Sequence, residues 1–376
     1  MINFYSRFSH EKRRKKTLRR TPILLFSVLA LCCTPFLASA QTSFWACPVG
    51  FEGESLYVYN WTTYIAEDTI SNFERLCGVN VVYTTYASDT DMLEELRAGN
   101  PGYDVVVPTD STVYLLVDEG LLQPLDQNAI PNLANISEQF RGTPYDPNSQ
   151  YTAAYQWGTI GVGYNRTAIG GDITSWDQVF NSTNRVAWLD ESRSMLGIVL
   201  QTLGYDANST NTTELNEAGQ YLIDHSDNLV EIAPDTGQDL LANGQADIVI
   251  EYSGDIFQVI ADCGCDDYAY TIPEEGGVIW NDSLAIPVGA PNPKLAAVFI
   301  DYILNPQVGA DISNYTAYAS PNQAAIDEGL IDSQYLDSTI IYPDDELRSR
   351  LFFIISNAEL EQNFTTVWDT VTQSVQ

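Results

Sequence analysis

From residue 55 to about 310 the chain alternates period-2 apolar runs with segments of helical period, the pattern of helices layered on mostly parallel strands. SLYVYNW predicts a strand. DTISNFERLCG predicts a helix with Ile70, Phe73 and Leu76 on one face and Gly78 as its stop. VNVVYTTY is a second strand, DMLEELRAGNPG a helix closed by Gly and Pro, YDVVVP a third strand, and STVYLLVDEG another helix. The second half repeats the alternation. RVAWLD, ADIVIEY and DSLAIP read as strands, and SMLGIVLQTLG, GQDLLANG, GDIFQVIAD and PKLAAVFIDYILN as helices. The tail, DELRSRLFFIISNAELEQNFTTVWDTV, is expected to be helical. One break stands out at AAYQWGTIGVGYN, an extended Gly-containing stretch that suits a direct strand crossing between two α/β units.

The first forty residues stand apart. RRKKTLRR is a basic leader, the apolar stretch after it is broken by Pro35, and Ala38-Ser39-Ala40 matches a signal-peptidase site, so Gln41 is the expected mature start. The uninterrupted apolar run is shorter than the ~20 residues of a membrane span. Without the leader, nine basic residues face 49 acidic ones, a net charge of −40, and Lys294 is the one lysine left. Phosphates would be repelled, which excludes nucleic acid and anionic lipid as partners. The charge favours a cationic ligand or a saline habitat. Because the acids are spread along the whole chain, habitat carries most of the weight.

Four cysteines remain in the mature chain, and export makes pairing the first expectation. Cys47 with Cys77 would tie the N-terminal segment to the end of the first helix. Cys263 and Cys265 would form a tight local bridge or stay reduced. A metal site is not expected, since His225 is the single mature histidine and one CxC lacks a second pair. The same scarcity weighs against a Ser-His-Asp or Cys-His enzyme.

Ligands of open α/β sheets bind at the carboxyl ends of strands. There the sequence places Trp61, Thr62, Thr63 and Tyr64, then Thr109, Asp110 and Ser111, then Asp190 and Glu191. Tyr252, Ser253, Gly254 and Asp255 follow, with Trp280 and Asp282 near GGVIWNDS. Taken singly, each aromatic is an ordinary packing residue and each Asp an ordinary N-cap. Together they make an aromatic and acidic set joined by one basic residue, Arg193, which suits an organic cation. An ammonium over an aromatic face gains roughly 0.5 to 2 kcal/mol, and a carboxylate offsets the cost of burying the charge.

The blocks YNWTTYIAEDTISNFERLCGVNVVYTTY, YDVVVPTDS, WGTIGVGYN, EYSGD, PEEGGVIWNDSLAIP and YASPNQAA run in order from about residue 55 to 325. They resemble the spermidine/putrescine-binding proteins that feed bacterial ABC transporters. The resemblance implies an α/β, two-lobed periplasmic binding fold of type II, each lobe a mostly parallel sheet flanked by helices, with ligand in the interlobe cleft. After the leader and an extension over 41–54, it implies one lobe over 55–157 and 283–318. The other would span 160–278 and 325–376, with hinge strands near 157–160, 278–283 and 318–325. Trp61, Tyr64, Tyr252, Trp280 and Tyr318 would form an aromatic box, and Asp255 and Asp282 would take ammonium groups. Thr62, Thr109 and Ser111 would add hydroxyl acceptors. The family often has acids where this chain has Thr63 and Ser194, and Asp110, Asp190 and Glu191 stand nearby as replacements.

The resulting expectation is a monomeric, periplasmic receptor without cofactor or catalytic residues that hands a polyamine to a membrane permease. Alternatives on the same fold are a different amine, an amino acid or a quaternary ammonium ligand, or a sensory role. A hydrolase using Asp190 and Glu191 is a remoter alternative, because adjacent residues on one strand end diverge in direction.

Overall fold

A computed structural model describes residues 45–86, 88–264 and 266–375; the expected leader lies outside them. The strands form one mixed sheet of ten. At one end β1 (Ser55–Trp61) runs parallel between β2 (Asn80–Tyr86) and β3 (Val105–Val106). At the other, β5 (Val186–Leu189) runs parallel between β6 (Leu229–Ala233) and β7 (Ile248–Tyr252). Two long strands join these groups: β4 (Thr152–Asn165) and β9 (Gly277–Ala285) pair antiparallel from Thr152 with Ala285 to Ile160 with Val278. The far half of β4 then pairs with β7 and with β8 (Tyr268–Thr271), while Ala285 reaches Val106 of β3.

The outer strands are therefore parallel and the seam antiparallel. All but the last residue of β4 is buried, which is why apolar residues and glycines dominate its sequence, with Thr152, Gln156 and Thr159 the buried polar exceptions. In the seam Trp157 faces Asn281 of β9 and also bridges Ala319, so three expected crossing segments lie side by side.

Helix α1 (Thr69–Cys77) buries Phe73 among Trp45, Phe299 and Tyr302 and ends on Gly78, whose φ of 66° is the left-handed conformation that glycine takes without penalty. Helix α2 (Asp89–Arg97) starts on Ser88, whose side chain accepts from the Asp91 amide, and α3 (Asp110–Asp118) starts on Thr109. Cys47 and Cys77 are bridged, and beside them Trp45 packs on Phe73 and Tyr302. Cys263 is disulfide-bonded as well, and Cys265 lies outside the described residues. No described helix is long and apolar enough to cross a membrane.

The tail corrects the expectation of a helix throughout. Asp345–Arg348 makes one turn, Leu351–Phe352 forms β10, and a long helix spans only Ala358–Val375. β10 pairs in parallel with Gly277 and Val278, and the Arg350 carbonyl accepts from Gln201 Nε2 at 2.9 Å. LFFII is rich in β-branched and aromatic residues, and here the open side of β9 supplies the ladder that a helix would have had to supply itself.

Candidate functional site

The carboxyl ends of β1 and β7, the middle of β9 and three loops converge on one cleft enclosing about 390 Å3, its mouth included. Trp61, Thr62, Thr63, Tyr64, Thr109, Asp235, Tyr252, Asp255, Trp280, Asp282 and Tyr318 line it, with no Lys, Arg or His among them. Nine of the expected ligand residues are thus brought together.

Four rings form a connected wall. Tyr64 meets Tyr318 edge-on at 5.3 Å, Trp280 meets Tyr318 at 5.2 Å, and Tyr252 meets Trp280 at 5.9 Å. Such edge-to-face pairs contribute about 0.5–1.5 kcal/mol each beyond burial. Trp61 stands beside the wall: its indole donates to the Val107 carbonyl at 2.9 Å and leans on Tyr86. Two glycines make room for the rings. A Cβ on Gly158 would meet the Trp280 indole at 2.6 Å, and one on Gly254 would meet the Tyr318 ring at 2.5 Å.

The carboxylates fall into two groups. Asp282 lies opposite Thr109 in a backbone bridge, and its Oδ1 is buried without a partner. Thr109 donates its hydroxyl to Asp89, so the carboxylate at the head of α2 stands behind this wall. Burial, then the Asp89 charge, push the Asp282 carboxyl well above the usual range. Asp89 itself is raised by burial to about 6.

The second group is Asp235, Glu251 and Asp255, whose carboxylate oxygens lie within 4.8 Å of one another. Asp255 accepts from the Tyr318 phenol, and burial, then Asp235, raise its pKa. Glu251 is fully buried and accepts from the Tyr252 amide at 2.9 Å and the Gly237 amide at 2.8 Å. Raised carboxyls mark sites where negative charge is held close together out of water. A cation entering the cleft would relieve both groups.

Three expected ligand residues do not line the cleft. Asp110 is buried behind it and accepts from the Ser111 amide at 2.8 Å, and the Ser111 hydroxyl pairs with Thr109. Glu191 takes the Ser194 hydroxyl at 3.0 Å, and burial, then Asp89, raise it to about 7. Asp190 is no replacement acid either, because it accepts from the Trp368 indole at 2.9 Å. His225 is stacked on Tyr221 and bonded through Nδ1 to the Tyr221 carbonyl. Sequence reasoning missed Asp89, Asp235 and Glu251. Asp235 follows LVEIA, whose apolar positions mark it as a strand, and a strand end is the signal that would have found it.

The family model for bacterial extracellular solute-binding proteins matches residues 68–335. The chain belongs to that family. Among relatives of this solute-binding protein, the putrescine-binding periplasmic protein PotF of Escherichia coli is 31% identical over 348 residues, covering 85% of this chain and 92% of the relative. The putrescine-binding periplasmic protein SpuD of Pseudomonas aeruginosa is 32% identical, covering 84% of this chain and 91% of the relative. The fold matches the spermidine/putrescine ABC transporter substrate-binding protein PotD of Streptococcus pneumoniae with a TM-score of 0.75, at 26% identity over 86% of this chain and 100% of that one. The solute-binding protein thus has the type II periplasmic binding fold, and its relatives are named for solutes they bind, not for reactions.

Proposed function

We propose that this solute-binding protein is the periplasmic receptor of a polyamine importer, taking putrescine or spermidine between two lobes and presenting the closed form to a membrane permease. One observation carries the reading: a wall of four aromatic rings faces buried carboxylates in a cleft lined by no basic residue. The rings suit the methylene chain, while Asp282 and Asp255 suit its ammonium ends. The cleaved leader accounts for export. The receptor works as a monomer.

The lobes comprise 55–157 with 283–318, and 160–278 with 325–376. The seam where Trp157 meets both Asn281 and Ala319 supports placing the hinge there. Closure draws on an existing equilibrium, shifted only by the ligand's differential affinity for the closed form.

Isothermal titration of the mature protein with putrescine and spermidine tests the proposal, with an amino acid and a quaternary amine as competitors. Micromolar or tighter binding is expected, weakened at least tenfold by Trp280→Ala. No heat with either polyamine would overturn it.

A further inference from the structure

Asp235 has no assigned role, yet it lines the cleft from the loop between β6 and the short helix Gly237–Ala242. Its Oδ1 is buried without a hydrogen-bond partner. Across from it stand Asp255 and Glu251, all three offering oxygens within 4.8 Å of one another. In the same cleft the Tyr64 phenol stands beside the Asp282 carboxylate, on side chains only 5% and 4% exposed. A folded chain rarely leaves buried polar atoms unsatisfied, and one on the wall of a cavity marks a missing polar ligand.

We infer that Asp235, with Asp255 beside it and the buried Glu251 behind, forms a corner of the cleft that receives one primary ammonium group, making Asp235 a specificity-determining residue. The inference rests on the polyamine reading above and names a subsite within it. An ammonium carries three N–H donors and no acceptor, and two carboxylates, Asp235 and Asp255, line this corner with Glu251 buried behind them. Glu251 is held in place by two backbone amides, and Asp255 by the Tyr318 phenol. Asp235 is the member whose free oxygen is left for the ligand. A divalent metal such as calcium seeks six to eight oxygens, which an aromatic wall does not supply. The corner also answers a question left by Thr63 and Ser194, where the family often carries acids: the missing negative charge enters from a different loop.

The test is titration of wild type, Asp235→Asn and Asp282→Asn with putrescine, then with calcium and magnesium chloride. Asp235→Asn keeps the side chain's shape, and circular dichroism with a thermal melt verifies that it folds. Loss of a hydrogen bond to a charged group predicts putrescine binding weakened roughly ten- to a hundredfold. The number of protons released on binding, read from heats in buffers of different ionisation enthalpy, should also fall. If Asp282→Asn loses putrescine while Asp235→Asn stays within twofold of wild type, the corner is refuted and the receptor reading stands. If wild type binds neither polyamine, the receptor reading fails and this inference with it. Should calcium or magnesium bind instead, with loss in Asp235→Asn, the ammonium assignment is overturned in favour of a metal.

Discussion

At the level of single residues, the cleft is shaped as much by what is absent as by what is present. Gly254 stands one residue before Asp255 in the first turn of the helix Ser253–Cys263, and its bare Cα lets the Tyr318 ring lie against the backbone. A methyl group there would have to displace a ring that both packs on Trp280 and donates to Asp255. Gly254→Ala should therefore weaken putrescine binding at least tenfold while costing about 1–3 kcal/mol of stability, as overpacking of a tight site does. Titration beside a denaturant melt measures both. Unchanged affinity would show that Tyr318 can move without cost. The neighbouring Thr63 has φ of 52°, a left-handed conformation that a β-branched residue seldom adopts, and it lies in the turn that brings Tyr64 inward. Neither a glycine making way for a ring nor a strained threonine is written in residue type alone. The residues YNWTTY were legible as a strand end carrying aromatics, but the turn that aims them was not.

At the level of elements, the disulfide sits at the end of α1 away from the cleft. Cys77 closes α1 just before β2 begins at Asn80, whereas the lining residues follow the carboxyl end of β1. The bridge closes a separation of 30 residues, for which the chain-entropy view gives roughly 3–4 kcal/mol. The double variant Cys47→Ser, Cys77→Ser should lose about that much stability in a denaturant melt yet bind putrescine like wild type. Coupled loss of affinity would mean that the bridge orders β1 as far as Trp61. Much of this architecture was legible because β1, β4, β7 and β9 are largely buried, so apolar residues dominate their sequences. β6 was passed over because it is short and only half-buried, with Val230 and Glu231 exposed, although its apolar positions fit a strand, and with it went Asp235. β10 hid because LFFII fits either a strand or a helix, and only its partner Gly277–Val278, more than seventy residues earlier, decides.

For the whole molecule, the buried acids set a dependence on pH whose sign can be worked out. Asp89 and Glu191 titrate near 6 and 7 in the folded protein, and Asp255 and Asp282 are raised as well, chiefly by burial. Unfolded, the same groups titrate near 4. Between those limits the folded chain holds more protons than the unfolded one, so stability must fall as pH rises through them. The amine-free protein should thus melt highest near pH 5 and progressively lower toward pH 8. Repulsion among surface acids acts in the same direction, but 1 M salt screens it to about 3 Å and leaves the buried cluster largely unscreened. The decline should therefore survive in 1 M sodium chloride. Putrescine would compensate the deprotonated acids, so its stabilising shift should be larger at pH 8 than at pH 5.5. Melts at three pH values, two salt levels, with and without amine, contain the whole test. A melting temperature that rises with pH in high salt would mean that the carboxylates are solvated and not gathered in a dry cleft.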